Sequence, residues 1–295
     1  MKKFLPLIFI LSFLNVYSQH FGNEWINYNQ KYFKIAVKAK GVYRISYNDM
    51  VNAGIPVTTI DPRYFQLFNK GVEQYIYVEG ESDGVIDNSD FLEFYGEPNT
   101  AWFDSAFYDN PAQMVNPNYS MVNDTSFYFL TWNESAVPKR MNVESDLSFP
   151  SYTAIDYFIR TLRTNYTLAY NSGEDGSYIS DGEGWVDNYF DYSTPSSKTF
   201  ATTQYIANKD SVRYSFCFAG ANSLSHHVQV TASGLYLDTM FYGYKTINYH
   251  IALKTALAAS TVFAGKSIPN GISTTDKNAW SWIQIEYPHA FNFEN

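Results

Sequence analysis

Alternating apolar and polar positions dominate the first half of the chain after residue 30, which is typical of half-buried β-strands. The alternating segments are residues 32–37, 41–45, 65–68, 74–78, 91–95 and 126–132. The first two are joined by Lys38-Ala39-Lys40, so we predict that they pair as a β-hairpin. The next two flank Asn69-Lys70-Gly71, whose turn-forming residues predict a second hairpin.

Other patterns separate these strands. The spacing over residues 47–53 predicts a short helix that ends at Gly54. Residues 96–124 are rich in Asn, Pro and Asp and contain few periodic runs, which predicts a long surface loop with short ordered pieces. A polar, proline-bounded stretch over residues 137–150 marks the predicted seam between two domains.

The second half of the chain again has strand-like periodicity. Residues 152–163 fit either a helix or a strand, and residues 171–184 form a loop rich in Gly, Asp and Ser. Strands are predicted over residues 211–218, 227–231, 234–240, 260–263 and 280–287. Short strands bounded by Gly, Asn and Asp indicate a β-sandwich.

These patterns give a fold class and a domain division. We predict a mostly β protein with little helix, made of two antiparallel β modules of which the second is β-sandwich-like. The first module is expected over residues 19–140 and the second over residues 150–295.

The N-terminus has the order of a secretory signal peptide. Met1-Lys2-Lys3 is basic, residues 4–14 are apolar, and a polar stretch follows, with cleavage predicted after Ser18. The apolar run is shorter than the roughly 20 residues that span a bilayer, so we expect an exported protein without a transmembrane span.

Composition narrows the function classes. The net charge of −9 argues against nucleic-acid binding, which needs clustered Lys and Arg. Apolar residues make up 45% of the chain, enough for a packed core, and the 19% of aromatic residues favours strands. A single cysteine excludes an intramolecular disulfide, so packing must stabilise the fold.

Several short motifs together resemble the N-terminal, pre-catalytic region of gingipain-like (C25-type) cysteine peptidases, and among them the type IX secretion sortases. In chain order they are YFKIAV with GVYRI (32–37, 41–45), DGVID with DFLEFYG (83–87, 90–96), GEGW (182–185) and EYP (286–288). The resemblance implies a cysteine nucleophile and a histidine in an α/β peptidase domain that follows this region. No residue here matches that domain, so no catalytic residue is assigned.

The resemblance also implies a role. The chain would be a non-catalytic accessory region of a cell-surface or outer-membrane peptidase that processes exported proteins. Its partners would be the downstream peptidase domain and other secretion-system components at the outer membrane. Residues 288–293 continue past the last predicted strand without a tail-like ending, so we expect a longer protein. The alternative is a stand-alone surface adhesin or glycan-binding β module.

An acidic segment has the spacing of a calcium loop. Counted from Glu79, carboxylates occupy positions 1, 3, 5, 9 and 12, and Gly84 occupies position 6. The candidate calcium ligands are Glu79, Glu81, Asp83, Asp87 and Asp90. The flanking segments look like strands rather than helices, so an acidic β-turn is the alternative.

Other reactive side chains favour structural interpretations. Cys217 lies near His226 and His227, but no third orienting group accompanies them, and a free cysteine is commonly a small buried apolar residue. Adjacent strand residues point to opposite faces, so the two histidines are not expected to share a metal ion. The pair Asp87/Asp90 offers acid–base chemistry in principle, but nothing in the sequence marks a cleft around it.

Aromatic residues beside the Asp- and Gly-rich loops suggest carbohydrate binding as a further function. Trp102, Phe103, Tyr108 and Trp185 would suit a sugar-stacking platform, because a flat ring face packs against a pyranose. The alternative is that these rings belong to the core, as most do in a chain this rich in Tyr and Phe.

Overall fold

A computed structural model describes residues 22–146, 148–174, 179–269 and 275–292. The predicted signal peptide, residues 1–18, lies outside the described residues. Within them, no helix is both long enough and apolar enough to cross a bilayer. Backbone contacts divide the chain into two compact units: unit 1 is Met1–Ala36, Gly41–Tyr95 and Phe127–Met141, and unit 2 is Val37–Lys40, Gly96–Ser126 and Asn142–Asn295.

Unit 1 contains two small sheets and a short helix. Its elements are β1 (Phe33–Val37), β2 (Gly41–Ser46), α1 (Tyr47–Asn52), β3 (Phe65–Asn69), β4 (Val72–Gln74), β5 (Ile76–Val78), β6 (Phe91–Gly96) and β7 (Ser126–Trp132). One sheet has the strand order β1-β7-β3-β4 and the other β2-β6-β5. Helix α1 begins at Ser46, whose hydroxyl accepts a hydrogen bond from the Asp49 amide while the Asp49 carboxylate accepts one from the Ser46 amide.

The second predicted hairpin of unit 1 has its turn at the predicted place, but its second strand is Val72–Gln74 rather than residues 74–78, because Ile76–Val78 pairs with β6 in the other sheet. Strands β3 and β4 pair antiparallel, with Asn69 opposite Val72. Lys70 and Gly71 both have positive φ, as the favoured two-residue hairpin turn requires. Glycine suits this turn for a second reason, because a Cβ on Gly71 would lie 2.9 Å from Trp25 Cδ1.

The first predicted hairpin is wrong, although both of its strands exist. Strand β1 pairs with β7 and strand β2 with β6, in separate sheets. Long-range contacts outweigh the short connection: Thr131 Oγ1 donates to the Lys31 carbonyl at 2.8 Å, and Phe33 stacks on Trp132 with ring centroids 6.0 Å apart. These contacts hold the start of β1 against β7.

Unit 2 is a β-sandwich, which confirms the predicted fold class. Its strands are β8 (Tyr157–Asn165), β9 (Ala169–Asn171), β10 (Gly184–Val186), β11 (Ser196–Ala201), β12 (Val212–Gly220), β13 (Ser225–Ala232), β14 (Leu235–Tyr242), β15 (Thr246–Leu253), β16 (Ser260–Ser267) and β17 (Asn278–Ala290). The two main sheets have the orders β11-β16-β13-β14 and β15-β12-β17-β8, and their pairs are antiparallel. Strands β9 and β10 form a separate two-stranded ribbon.

The sandwich core is aromatic and draws on both main sheets. Phe216 and Phe218 of β12 pack with Trp280 of β17, and Phe263 of β16 contacts Trp280 from the facing sheet. Along β12 the even-numbered residues enter this core, so the odd-numbered residues face the outside of the sheet.

A β-bulge in β17 sets which of its side chains face the core. Cys217 lies opposite Trp282 whereas Phe218 lies opposite Trp280, so Ser281 is the extra residue. The bulge reverses the alternation, with the result that Trp280 shares the inner face with Ile283. Trp282 is thereby placed on the outer face.

Residues 96–126 are not simply a surface loop. They contain the predicted short ordered pieces, the 3-10 turns Asp104–Phe107 and Pro111–Gln113. However, Ala101, Tyr108 and Val115 are buried, and Asp104 accepts hydrogen bonds from the Ser120 hydroxyl and the Met121 amide. The segment belongs with unit 2, whereas the sequence predicted it as part of a first module ending at residue 140.

Candidate functional site

A cavity of about 560 Å³ lies on the outer face of the sheet β15-β12-β17-β8 in unit 2. Its floor consists of side chains from these four strands: Arg163, Ser215, Asn248, His250, Trp282, Gln284 and Glu286. Residues of the segment 111–118 form a wall. The cavity is of the size at which proteins bind small ligands.

A row of directly opposed polar residues crosses the cavity floor. Arg163 lies opposite Gln284, Gln284 opposite Ser215, and Ser215 opposite His250. Arg163 Nη1 donates to Gln284 Oε1 at 3.0 Å, and His250 Nδ1 lies 3.0 Å from Ser215 Oγ. Because directly opposed residues on antiparallel strands point to the same face, strand register alone brings these four side chains together.

Arg163 is a half-buried cation with neutral partners. Its Nε donates to Asn165 Oδ1 at 2.9 Å, and the Asn118 amide oxygen, turned towards the guanidinium, accepts from both Nη atoms. The guanidinium lies 4.2 Å from the centre of the Trp282 ring. Desolvation lowers the pKa of Arg163 to about 10, so it stays charged at neutral pH. None of the described residues supplies a carboxylate partner to it.

The cavity wall is tied to the sheet by hydrogen bonds. Trp282 Nε1 donates to the Val115 carbonyl at 3.0 Å, and Asn116 Nδ2 donates to Asn165 Oδ1 at 3.3 Å. Thr246 Oγ1 donates to the Gln113 carbonyl at 2.5 Å. A wall fixed in this way keeps the cavity open without a ligand, which favours binding.

Several side chains of the cavity floor can form hydrogen bonds with a ligand. Arg163, the Gln284 amide and the Ser215 hydroxyl can all donate hydrogen bonds to a ligand oxygen. The Ser215 hydroxyl and the His250 ring form a contact, but in the described part of the chain no carboxylate orients that ring as a catalytic triad requires.

Cys217 lies beneath this surface as a packing residue. It is fully buried against Val115, Ala219 and Trp282. Burial raises the pKa of the Cys217 thiol, the opposite of what a nucleophile needs. This supports the interpretation of Cys217 as a small buried apolar residue.

Cys217 should therefore be chemically silent in the folded protein. We expect no reaction with Ellman's reagent at pH 8 under native conditions, and one equivalent of thiol per chain after unfolding in guanidinium. The measurement is the absorbance of released thionitrobenzoate. Rapid stoichiometric reaction of the folded chain would contradict the burial.

The neighbouring histidines lie on opposite faces of β13. His226 is buried and stacks on Phe241 with ring centroids 4.6 Å apart, whereas His227 Nε2 lies 2.6 Å from Asp238 Oδ1 at the surface. The two rings therefore do not converge, as the alternation of a strand requires.

The five carboxylates of the predicted calcium loop lie in the turn between β5 and β6 of unit 1. Residues Glu81–Asp83 form a 3-10 turn between Gly80 and Gly84, both of which have positive φ. A Cβ on Gly80 would lie 2.0 Å from Asp90 Oδ1, so the glycine allows the turn to close on that carboxylate.

Each of these carboxylates has a local hydrogen-bond donor. Glu79 accepts from the Tyr77 hydroxyl, Glu81 from Arg140 Nε at 2.8 Å, and Asp83 from the Val85 amide at 2.9 Å. Asp87 accepts from the Ser89 amide and hydroxyl, and Asp90 from the Asp87 amide. Across the described residues, no group of three or more His, Cys, Asp or Glu side chains is placed to hold a metal ion. Calcium binding at this turn stays a prediction, to be checked by calorimetric titration in the millimolar range.

Acid–base chemistry by the Asp87/Asp90 pair gains no support from this geometry. The hydrogen bonds from Ser89 lower the pKa of Asp87, which favours the ionised form throughout the neutral range. A general acid would need the opposite shift.

The four candidate stacking aromatics do not form one platform. Trp102 and Phe103 are 52% and 57% exposed and touch edge to face, with centroids 5.7 Å apart. Tyr108 is buried, and its hydroxyl donates to the Glu183 carbonyl at 2.7 Å. Trp185 is only partly exposed and packs against Tyr170. Only the first two are available on the surface, beside Phe107.

The fold is that of a mostly antiparallel β protein of two units, in which the second unit is a sandwich with a cavity on its outer face. No protein-family model matches the sequence. No curated protein sequence matches it either.

Among solved structures, dimeric latent PorU from Porphyromonas gingivalis matches 90% of this chain with a TM-score of 0.56 and 14% sequence identity. The match covers 25% of the PorU chain, so this chain spans about a quarter of that protein. At this identity the likeness shows a shared fold.

Two carbohydrate-binding modules are also similar to part of the chain. CBM36 in complex with calcium and xylotriose matches 43% of this chain and 98% of its own at 12% identity, with a TM-score of 0.26. The CBM36-1 domain of a multidomain xylanase from the hindgut metagenome of Trinervitermes trinervoides matches 43% of this chain and 96% of its own at 11% identity, with a TM-score of 0.26. Likeness at this TM-score carries no structural argument.

Proposed function

We propose that this chain is the non-catalytic N-terminal accessory region of a secreted gingipain-like cysteine peptidase of the type IX sortase kind. In this role it packs against a peptidase domain that follows it and positions that domain at the cell surface, where the complete enzyme processes exported proteins. The region itself contributes interaction surfaces and no catalytic residue.

One observation carries this proposal: the fold is shared with PorU, a gingipain-like type IX sortase, over 90% of this chain but only a quarter of PorU. The four sequence motifs, spread from residue 32 to residue 288, support the same assignment. The inert state of Cys217 agrees with it, because a peptidase nucleophile would then lie elsewhere.

An exposed apolar cluster offers a surface for the contact that this role requires. It consists of Trp102, Phe103 and Phe107, whose rings touch edge to face in two successive pairs. Exposed aromatic groups of this kind are typical of interaction sites.

The reading frame of the gene tests the proposal most directly. Sequencing past the codon for Asn295 should show that the frame continues into an α/β domain with a cysteine and a histidine at peptidase positions. In the complete protein, replacing Trp102 and Phe103 with serine should then weaken the contact between the accessory region and the peptidase domain. The measurement is faster limited proteolysis between these two regions. A stop codon directly after Asn295 would remove the proposal.

The cavity supports a second candidate, a surface module that binds small polar ligands such as glycans. A floor that combines a charged guanidinium with hydroxyl, amide and carboxylate groups and an indole ring suits ligands with many hydroxyl groups. Screening on a glycan array would identify a ligand, and calorimetry would measure its affinity.

Arg163 should govern any such affinity. We expect Arg163→Lys to weaken binding by about 10-fold or more, because lysine cannot reproduce the planar fork of donors. Lys266→Ala is the matched control, because Lys266 is exposed on β16 of the other sheet. Equal affinity in the Arg163→Lys variant and the wild type would place binding elsewhere.

A further inference from the structure

Four polar side chains meet where the β12–β13 turn approaches the start of β17. They are Asn222, His226, Asp276 and Asn278. His226 Nδ1 lies 4.0 Å from Asp276 Oδ2, and Asn278 Nδ2 lies 3.4 Å from the same oxygen. His226 Nε2 lies 3.1 Å from the main-chain carbonyl of Asn222, while the side chain of Asn222 reaches towards Asp276, with Nδ2 donating to the Thr275 carbonyl at 2.8 Å.

Each of these side chains has a buried polar atom without a hydrogen-bond partner among the described residues. The atoms are Asn222 Oδ1, His226 Nδ1, Asp276 Oδ1 and Asn278 Oδ1. The side chains of His226, Asp276 and Asn278 are at least 98% buried. Buried polar atoms are nearly always paired, so four orphaned atoms in one cluster indicate a partner that the described residues do not supply.

The hydrogen bonds already present determine whether each of these four atoms is a donor or an acceptor. The His226 ring must carry its proton on Nε2 to donate to the Asn222 carbonyl, which leaves a lone pair on Nδ1. The other three atoms are two amide oxygens and one carboxylate oxygen. All four are therefore acceptors, and one water molecule, with two protons, cannot satisfy them.

The buried carboxylate of Asp276 also favours a bound cation. Asp276 is buried, and among the described residues His226 is the basic side chain that lies within 4.0 Å of its carboxylate. A buried carboxylate without a counter-charge is costly, and a bound cation would remove that cost.

We propose that Asn222, His226, Asp276 and Asn278 bind a divalent metal ion through three oxygen ligands and one imidazole nitrogen. A metal-bound histidine almost always donates its other ring N–H to a carbonyl or carboxylate, as His226 does to Asn222. The imidazole ligand favours Zn²⁺ or Mn²⁺ over Ca²⁺, which prefers oxygen alone. The ion would tie the β12–β13 turn to the start of β17.

The test is calorimetry on the full chain after dialysis against a chelator and then against metal-free buffer. Zn²⁺ and Mn²⁺ are titrated separately, and the thermal unfolding midpoint is measured with and without each ion. We expect one site per chain for at least one of the two ions and a rise in the midpoint. Absence of saturable binding of both ions would overturn the proposal.

Two variants locate the site. Asp276→Asn keeps the shape of the side chain and should weaken binding by at least about 100-fold, beyond what the loss of an outer hydrogen-bond partner costs. His227→Gln is the matched control, because His227 lies next to His226 but on the opposite face of β13. It should bind with wild-type affinity.

The two variants also distinguish this cluster from the nearby pair of His227 and Asp238. If Asp276→Asn fails to fold, the midpoint shift of the wild-type chain and the control variant still decide the question. Equal loss of binding in His227→Gln would place the ion at the His227/Asp238 pair and overturn the assignment. Retained binding in Asp276→Asn would overturn it as well.

Discussion

Replacing Trp280 with alanine should lower the free energy of unfolding of unit 2 by about 3–5 kcal/mol. The indole is fully buried and contacts Phe190, Phe216, Phe218 and Phe263, with ring centroids 5.4 to 5.9 Å away. Truncation removes these contacts and leaves a cavity that rigid β-strands cannot close. Equilibrium urea unfolding, followed by far-UV circular dichroism, measures the change.

Two controls make this prediction specific. Trp102→Ala removes a half-exposed indole and should cost less than about 1 kcal/mol. Trp280→Phe should cost much less than Trp280→Ala, because it also removes a buried indole N–H that has no acceptor among the described residues. If Trp280→Ala behaved like Trp102→Ala, the indole would not be at the centre of the core.

Replacing Arg140 with alanine should lower the free energy of unfolding of unit 1 by about 2–3 kcal/mol. Its guanidinium, which is only 21% exposed, donates to Glu81 and to the main-chain carbonyls of Pro62, Arg63 and Phe65. Loss of the side chain leaves these partly buried carbonyls and one carboxylate without their donor. Arg140→Lys should recover only part of the loss, because an ammonium group cannot reach four acceptors at once.

Arg63 is the matched control for Arg140. It also pairs with a carboxylate, that of Asp61, but its side chain is exposed. We expect Arg63→Ala to change stability by no more than about 1 kcal/mol, as is usual for surface ion pairs. Similar losses for the two variants, measured by urea unfolding, would contradict the anchoring role of Arg140.

The strands were predictable where alternation was clear and the bounding turns were strong. The predicted strands over residues 211–218, 227–231, 234–240, 260–263 and 280–287 correspond to β12, β13, β14, β16 and β17. The segment 152–163, ambiguous between helix and strand, contributes to β8. Strands β11 and β15 were not predicted, although residues 196–201 and 246–253 alternate in burial. Their polar and aromatic residues give a weak contrast between the two faces.

Partner choice was harder to predict than strand formation. The short link between β1 and β2 favours a hairpin, yet each strand pairs with a distant one. Local spacing carries no information about a competing partner about 90 residues away, such as β7, whose Trp132 stacks on Phe33 of β1.

The residues of the cavity floor could not be predicted from the sequence for the same reason. The cavity floor takes Arg163, Ser215, Gln284 and His250 from four strands that are joined only by register. The proposed metal ligands Asn222 and Asp276 are likewise distant in sequence and match no motif. The acidic segment beginning at Glu79 had motif-like spacing instead, but each of its carboxylates is used by a neighbouring donor.

The central position of β17 has a consequence for the folding of the chain during its synthesis. Strand β17 lies between β12 and β8, so the sheet of unit 2 cannot close until residues 278–290 have left the ribosome. Pairing β8 with β17 also closes a loop of more than 100 residues, which slows folding. A chain still being synthesised therefore cannot complete this sheet before residue 290 has emerged.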